Sequence, residues 1–97
     1  MKATLIRKYR TPVSDAAFVE AAIWRVPKPL AGSRHNFKYR LALIFEGRCV
    51  LRYDNEAGKG DHKHIGRRQV DYTFQDLTQL QGDFRNDVEE WLRRLQT

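Results

Sequence analysis

The stretch from Phe37 to Tyr53 constrains the fold more than any other part of this chain. Phe37, Tyr39, Leu41, Leu43 and Phe45 recur at every second position, with Lys38, Arg40, Ala42 and Ile44 between them. A period of two is the pattern of a strand with one buried face. Glu46-Gly47-Arg48 then supplies a glycine-centred turn, and Cys49, Leu51 and Tyr53 resume the alternation against Val50 and Arg52. Strands joined so tightly pair antiparallel. Such a hairpin has one apolar face that needs a cover.

The C-terminus provides the cover. Leu77, Leu80, Phe84, Val88, Trp91, Leu92 and Leu95 form a single apolar stripe at helical spacing. Asp76 is placed to cap this helix, with Gln79 in the capping-box position, and Arg93 and Arg94 suit its C-terminal end. Gly82 weakens the interior by ~1 kcal/mol relative to alanine but leaves room for close packing. The stripe reads as core, since a one-sided sheet requires a second layer.

Around these elements the remaining segments read as further strands. Leu5 to Arg10 alternates, with Leu5, Arg7 and Tyr9 on one face and Ile6 and Lys8 on the other, and Thr11 to Asp15 reads as a turn. Phe18 to Val26 is a second strand. A helix over 15–22 competes, but the β-branched and aromatic residues favour strand. Pro27 to Ser33 is a linker whose two prolines exclude a central strand or a helix interior. Val70 to Phe74 alternates weakly, as an edge strand does. The expected fold is α+β, a four- to five-strand antiparallel β-meander with a C-terminal helix packed on one face. It forms a single domain over 1–97, with strands at about 3–10, 18–26, 37–45, 48–54 and 70–74 and a helix at about 77–95. The alternation predicts that Lys8, Arg25, Lys38, Arg40 and Arg52 share the face away from the helix.

Composition narrows the function classes. Of 97 residues 41% are apolar, which suits a globular chain. No apolar run approaches the ~20 residues of a membrane span. The first residues break into charge too soon for a signal peptide. The single cysteine, Cys49, excludes an internal disulfide. It is expected to be a small buried apolar residue in a reducing, cytoplasmic setting. The net charge of +6 is uneven: residues 1–52 carry eleven Lys/Arg against three Asp/Glu, and residues 53–97 carry seven against nine. With a pI near 9.8, such a chain suits nucleic acid, an acidic protein partner, or simply a basic surface. A basic sheet face can follow a phosphate backbone.

Chemistry concentrates in residues 52–64, Arg-Tyr-Asp-Asn-Glu-Ala-Gly-Lys-Gly-Asp-His-Lys-His. Gly58-Lys59-Gly60 can turn backbone amides and one cation toward an anion, or serve as a plain turn. It lacks the P-loop pattern. His62 and His64 fall on one side of an extended segment. They suit acid–base work on a phosphodiester. Alternatively they ligate a metal with Asp54 or Asp61, or are exposed polar residues beside a turn. Metal has the least support, because His35 is the only other histidine. The candidate catalytic set is His62, His64 and Asp54. The candidate phosphate-binding set is Arg52, Lys59, Lys38, Arg40, Gly58 and Gly60, with no metal and no cofactor. Tyr53 either packs in the core or stacks on a base. No serine or cysteine sits beside a His/Asp pair, which argues against acyl transfer.

Several of these strings resemble the TumE family of small bacterial toxins. They are Phe37-Lys38-Tyr39-Arg40-Leu41, Val50 through Glu56, Gly58 through His64, Ile23-Trp24-Arg25-Val26-Pro27, and Asp83-Phe84 with Asp87-Val88. The resemblance implies the toxin of a two-gene toxin–antitoxin module. It implies an antitoxin partner with a helix-turn-helix DNA-binding domain; the chain itself is compatible with a homodimer or with a hetero-oligomer containing the antitoxin. By analogy with other small basic toxins the expected action is that of a metal-independent ribonuclease causing growth inhibition. The alternative is a non-enzymatic nucleic-acid- or protein-binding module whose glycine/histidine loop is a docking surface.

Overall fold

A computed structural model describes residues 2–96. In chain order the elements are β1 (Thr4–Ser14), β2 (Ala17–Arg25), β3 (Phe37–Phe45), β4 (Arg48–Asp54), β5 (His62–Ile65), β6 (Arg68–Asp71) and α1 (Leu77–Leu95). The strands form one six-stranded sheet in sequential order, each antiparallel to its neighbour. The fold is thus the expected α+β meander with a C-terminal helix, with one strand more than the upper end of the expected range.

The added strand comes from the glycine–histidine segment, where residues 62–65 pair with β4 instead of continuing a loop. The last strand lies at Arg68–Asp71, slightly before the weak alternation at 70–74. β1 runs on through Pro12 to Ser14, past the expected turn, and the chain reverses at Asp15-Ala16. Proline is tolerated there because β1 is an edge strand. Between β3 and β4 the turn is Glu46-Gly47, both at positive φ, the hairpin geometry that matches strand twist.

The core lies on one face. Val19, Ala21 and Ile23 of β2, Tyr39, Leu41 and Leu43 of β3, and Leu51 and Tyr53 of β4 meet Leu80, Phe84 and Val88 of α1. Burying an aliphatic or aromatic side chain of this size contributes about 1.5–3 kcal/mol. The helix begins at Asp76, whose carboxylate accepts from the Gln79 amide at 2.7 Å. The Phe45 and Trp91 rings meet with centroids 4.9 Å apart. Two phenols tie the helix to the sheet: Tyr53 donates to Asp87 and Tyr72 to Asp83, both at 2.6 Å. Burial, reinforced by the accepting carboxylates, pushes both phenols well above the ordinary tyrosine range, so they remain donors.

Two bulges and the register of β2 revise three expected face assignments. Leu5 pairs with Trp24 but Arg7 with Ile23, so one extra residue separates Leu5 from the face of Arg7 and Tyr9. Leu43 pairs with Leu51 but Ile44 with Cys49, so Cys49 turns to the helix-free face and is exposed, not buried. Arg25 pairs with Phe37 on the helix side, where its guanidinium lies 5.3 Å from the Phe37 ring centroid. It therefore does not belong with the outward cations. Arg10, paired with Glu20, takes a place there instead.

Candidate functional site

Residues directly opposite in a ladder share a face. On the helix-free face one row runs Lys8, Ala22, Arg40, Asp54, His62 and Asp71 across all six strands. The next row runs Arg10, Glu20, Ala42, Arg52, His64 and Gln69. The period of two produces both rows, because Leu41, Leu51 and Tyr53 between them enter the core. His62 and His64 are thus brought beside Asp54 and Arg52 by strand pairing rather than by the loop that precedes them.

Lys38, Arg40, Arg52, Asp54, Lys59, His62 and His64 together line a cleft of about 310 Å³. At its centre Arg52 Nη2 donates to His64 Nε2 at 3.1 Å. A guanidinium only donates, so Nε2 carries the lone pair and the imidazole is neutral in this contact. Burial, and secondly the Arg52 charge, hold His64 below the ordinary histidine range, while Asp54 acts in the opposite direction. Asp54 Oδ2 lies 2.9 Å from Arg52 Nε, and Asp54 Oδ1 lies 3.8 Å from His64 Nε2. The short Arg52–Asp54 approach is an ion pair without a hydrogen bond, since the buried Nε–H finds no acceptor among the described residues. The His62 ring is almost buried and its centroid is 6.4 Å from that of His64. Arg40 pairs with Glu20, and the exposed Lys59 with Glu56, each at 3.1 Å. The Lys59 ammonium holds the Glu56 carboxyl below its usual range.

Gly58 and Gly60 do not line this cleft. The Gly58 amide donates to the Ala31 carbonyl at 2.6 Å. A methyl group on Gly32 would lie 2.7 Å from the Gly60 nitrogen, so the two loops touch backbone to backbone. This contact pins the 55–61 loop to the β2–β3 loop and sets where β5 starts. Asn55, 1% exposed, strengthens the same junction. Its side chain accepts from the Tyr39 amide at 2.9 Å and donates to the Phe37 carbonyl at 2.7 Å, standing in for a strand residue.

A second cluster escaped the sequence reading. Asp61 accepts from Ser33 Oγ at 2.6 Å and from Tyr39 Oη at 2.7 Å, and it contacts His35 Nε2 at 2.7 Å. His35 Nδ1 accepts from the Phe37 amide at 3.2 Å, so Nε2 carries the proton and donates to Asp61. Its ring stacks on Phe74 with centroids 3.8 Å apart. With both nitrogens engaged, His35 holds the loop and has no lone pair for catalysis. No spacing rule links partners that lie 26 residues apart in the chain. Burial, then the Asp61 carboxylate, pushes the Tyr39 phenol far above its ordinary range.

Among the described residues no group of three or more His, Cys, Asp or Glu side chains is placed to hold a metal ion. Among the same described residues no helix is long and apolar enough to cross a membrane. The family described as Toxin TumE matches residues 2–92 of the chain. No curated protein and no solved structure matches it.

Proposed function

The chain belongs to the TumE toxin family, and on that premise we propose that it acts on RNA at the cleft around Arg52 and His64. A toxin of this kind implies an antitoxin partner. In our reading that partner carries a helix-turn-helix domain, and the toxin inhibits growth from the cytoplasm. The observation that carries the proposal is the Arg52 guanidinium. It touches His64 at 3.1 Å through Nη2 and pairs with Asp54 at 2.9 Å through Nε, on a cationic, helix-free sheet face. A guanidinium whose planar fork lines an open cleft is suited to a phosphate oxygen.

The proposed steps start from the neutral imidazole of His64. A phosphodiester seated between the histidines competes with His64 for Arg52. As Arg52 turns to the phosphate, it releases the Nε2 lone pair of a neutral imidazole. His64 then takes the proton of a ribose 2′-hydroxyl, the O2′–P bond forms and the P–O5′ bond breaks. His62, in the role of general acid, gives a proton to the departing O5′, leaving a 2′,3′-cyclic phosphate. Asp54 orients Arg52 and His64. Lys38, Arg40 and Lys59 guide the flanking phosphates and stabilise the charge on phosphorus, and no metal takes part.

Purified protein incubated with total RNA, in Mg²⁺ and separately in EDTA, is expected to give fragments ending in cyclic phosphate under both conditions. His62→Ala and His64→Ala each lower the rate by roughly 10²–10⁴-fold and abolish growth arrest with the circular dichroism spectrum unchanged. Intact RNA in both incubations, or full toxicity of both variants, sinks the catalytic reading. One observation favours a non-enzymatic docking surface instead: Arg52 already occupies the lone pair that the base needs. On that reading RNA binds without cleavage, and charge reversal at Lys38 and Arg40 abolishes the binding.

A further inference from the structure

We propose that the free edge of β1, with the groove between β1 and α1, takes an acidic, extended segment of a partner protein as a seventh strand. Among the described residues β1 is the longest strand, with 11 residues, and it lies at the end of the strand order with β2 as its one strand neighbour. Half of its backbone donors and acceptors therefore have no strand to pair with, which is a template for strand addition. Leu5 and Ile6 on this strand are 45% and 41% exposed. The other edge, β6, has only four residues.

The groove beside this edge has a volume of about 560 Å³. Tyr9 and Val13 form its strand wall, Phe84 and Val88 its apolar floor, and Gly82 and Arg85 its helix wall. Gly82 keeps it open, since a methyl group built there meets nothing closer than the Arg85 side chain at 4.0 Å. An added strand sends every second side chain to this face, where the groove receives them.

Charge selects the occupant. β1 carries Arg7, Lys8 and Arg10 and no acidic residue, with Arg85 across the groove. Arg7 and Lys8 point to opposite faces, so an incoming strand meets cations on both sides. A second copy of β1 would set cation against cation in the ladder, which is destabilising. RNA offers neither the main-chain ladder nor apolar groups for the floor. An acidic polypeptide with alternate apolar residues satisfies the edge, the groove and the charge together. The antitoxin that a toxin of this family pairs with is the natural source of such a segment. The inference rests on the toxin family and is independent of whether the cleft cleaves RNA.

The test uses the full chain and a fluorescein-labelled twelve-residue peptide alternating glutamate and valine. We expect saturable binding that weakens with salt, and no binding of the lysine–valine counterpart. Gly82→Leu fills the groove while improving helix propensity, and Lys8→Glu with Arg10→Glu reverses the edge charge. Each is expected to weaken the peptide at least tenfold. Gly82→Leu leaves RNA cleavage by the opposite face unchanged, so failure here and failure of the catalytic reading give different results. The proposal is overturned if wild type ignores the acidic peptide or if Gly82→Leu binds it as tightly as wild type. It is equally overturned if a labelled single-stranded RNA displaces the peptide in both backgrounds, or if the edge is consumed by concentration-dependent self-association.

Discussion

Arg52 and His64 face each other across the β4–β5 ladder, with the arginine Nη2 donating to the histidine Nε2 at 3.1 Å. Burial and this contact hold the imidazole neutral, while Nε of the same guanidinium pairs with Asp54 at 2.9 Å. One residue thus guards the base and offers itself to an anion. A ligand that draws the guanidinium away changes the state of the histidine.

Arg52→Gln is expected to raise the His64 pKa toward the ordinary value of 6.5, because a cation that disfavours the imidazolium has gone. Burial still depresses it, so the rise is partial. An NMR titration of the imidazole protons reads this directly, and an unchanged or lowered pKa contradicts the contact. The same linkage has a stability sign. Below pH 6.5 the unfolded chain takes up the His64 proton first, so wild-type stability falls as pH drops from there through the lower folded value. Denaturant melts across this window show a shallower loss for Arg52→Gln.

Asp61→Asn keeps the shape of the hub and removes its charge. Ser33, His35 and Tyr39 all direct donors at this carboxylate, and the amide nitrogen of asparagine confronts at least one of them. A buried donor left without an acceptor costs about 1–3 kcal/mol. Urea unfolding is expected to show a loss of that size with the m-value unchanged. A neutral outcome contradicts the hydrogen-bond assignment.

Gly32→Ala places its new carbon 2.7 Å from the Gly60 nitrogen, at a φ of +93°. Backbone on both sides leaves no flexible group to yield, so the loop junction must open. The expected cost exceeds the roughly 1 kcal/mol of left-handed strain alone. Thermal melts measure it, and hydrogen exchange should quicken at the Gly58 amide that reaches Ala31.

Asn55→Asp tests the surrogate strand residue. The carboxylate can still accept from the Tyr39 amide, but it has no hydrogen to give the Phe37 carbonyl. In a site 1% exposed, two oxygens then face each other. A loss of about 2 kcal/mol is expected in denaturant titration. Stability equal to wild type disproves the bridging role.

Local pattern alone was enough for the hairpin of β3 and β4, the helix, its Asp76 cap and the side on which His62 and His64 fall. Those features repeat within a few residues, at a period set by backbone geometry. A bulge breaks that logic: one unpaired residue on β4 turned Cys49 outward, and one on β1 parted Leu5 from Arg7. Arg25 went to the helix side because the whole of β2 follows the face on which Val19, Ala21 and Ile23 are buried. Only pairing along the sheet assembled the cleft from Lys38, Arg52, Asp54 and the two histidines, and only tertiary contact joined His35 to Asp61 and Gly32 to Gly60. The sequence by itself determined the elements with a strong period, β2 to β4 and the helix, and the chemistry that each segment carries, because these reside in short-range periodicity. Tertiary structure decided which of those groups meet, because strand register and loop-to-loop contact depend on residues far apart in the chain.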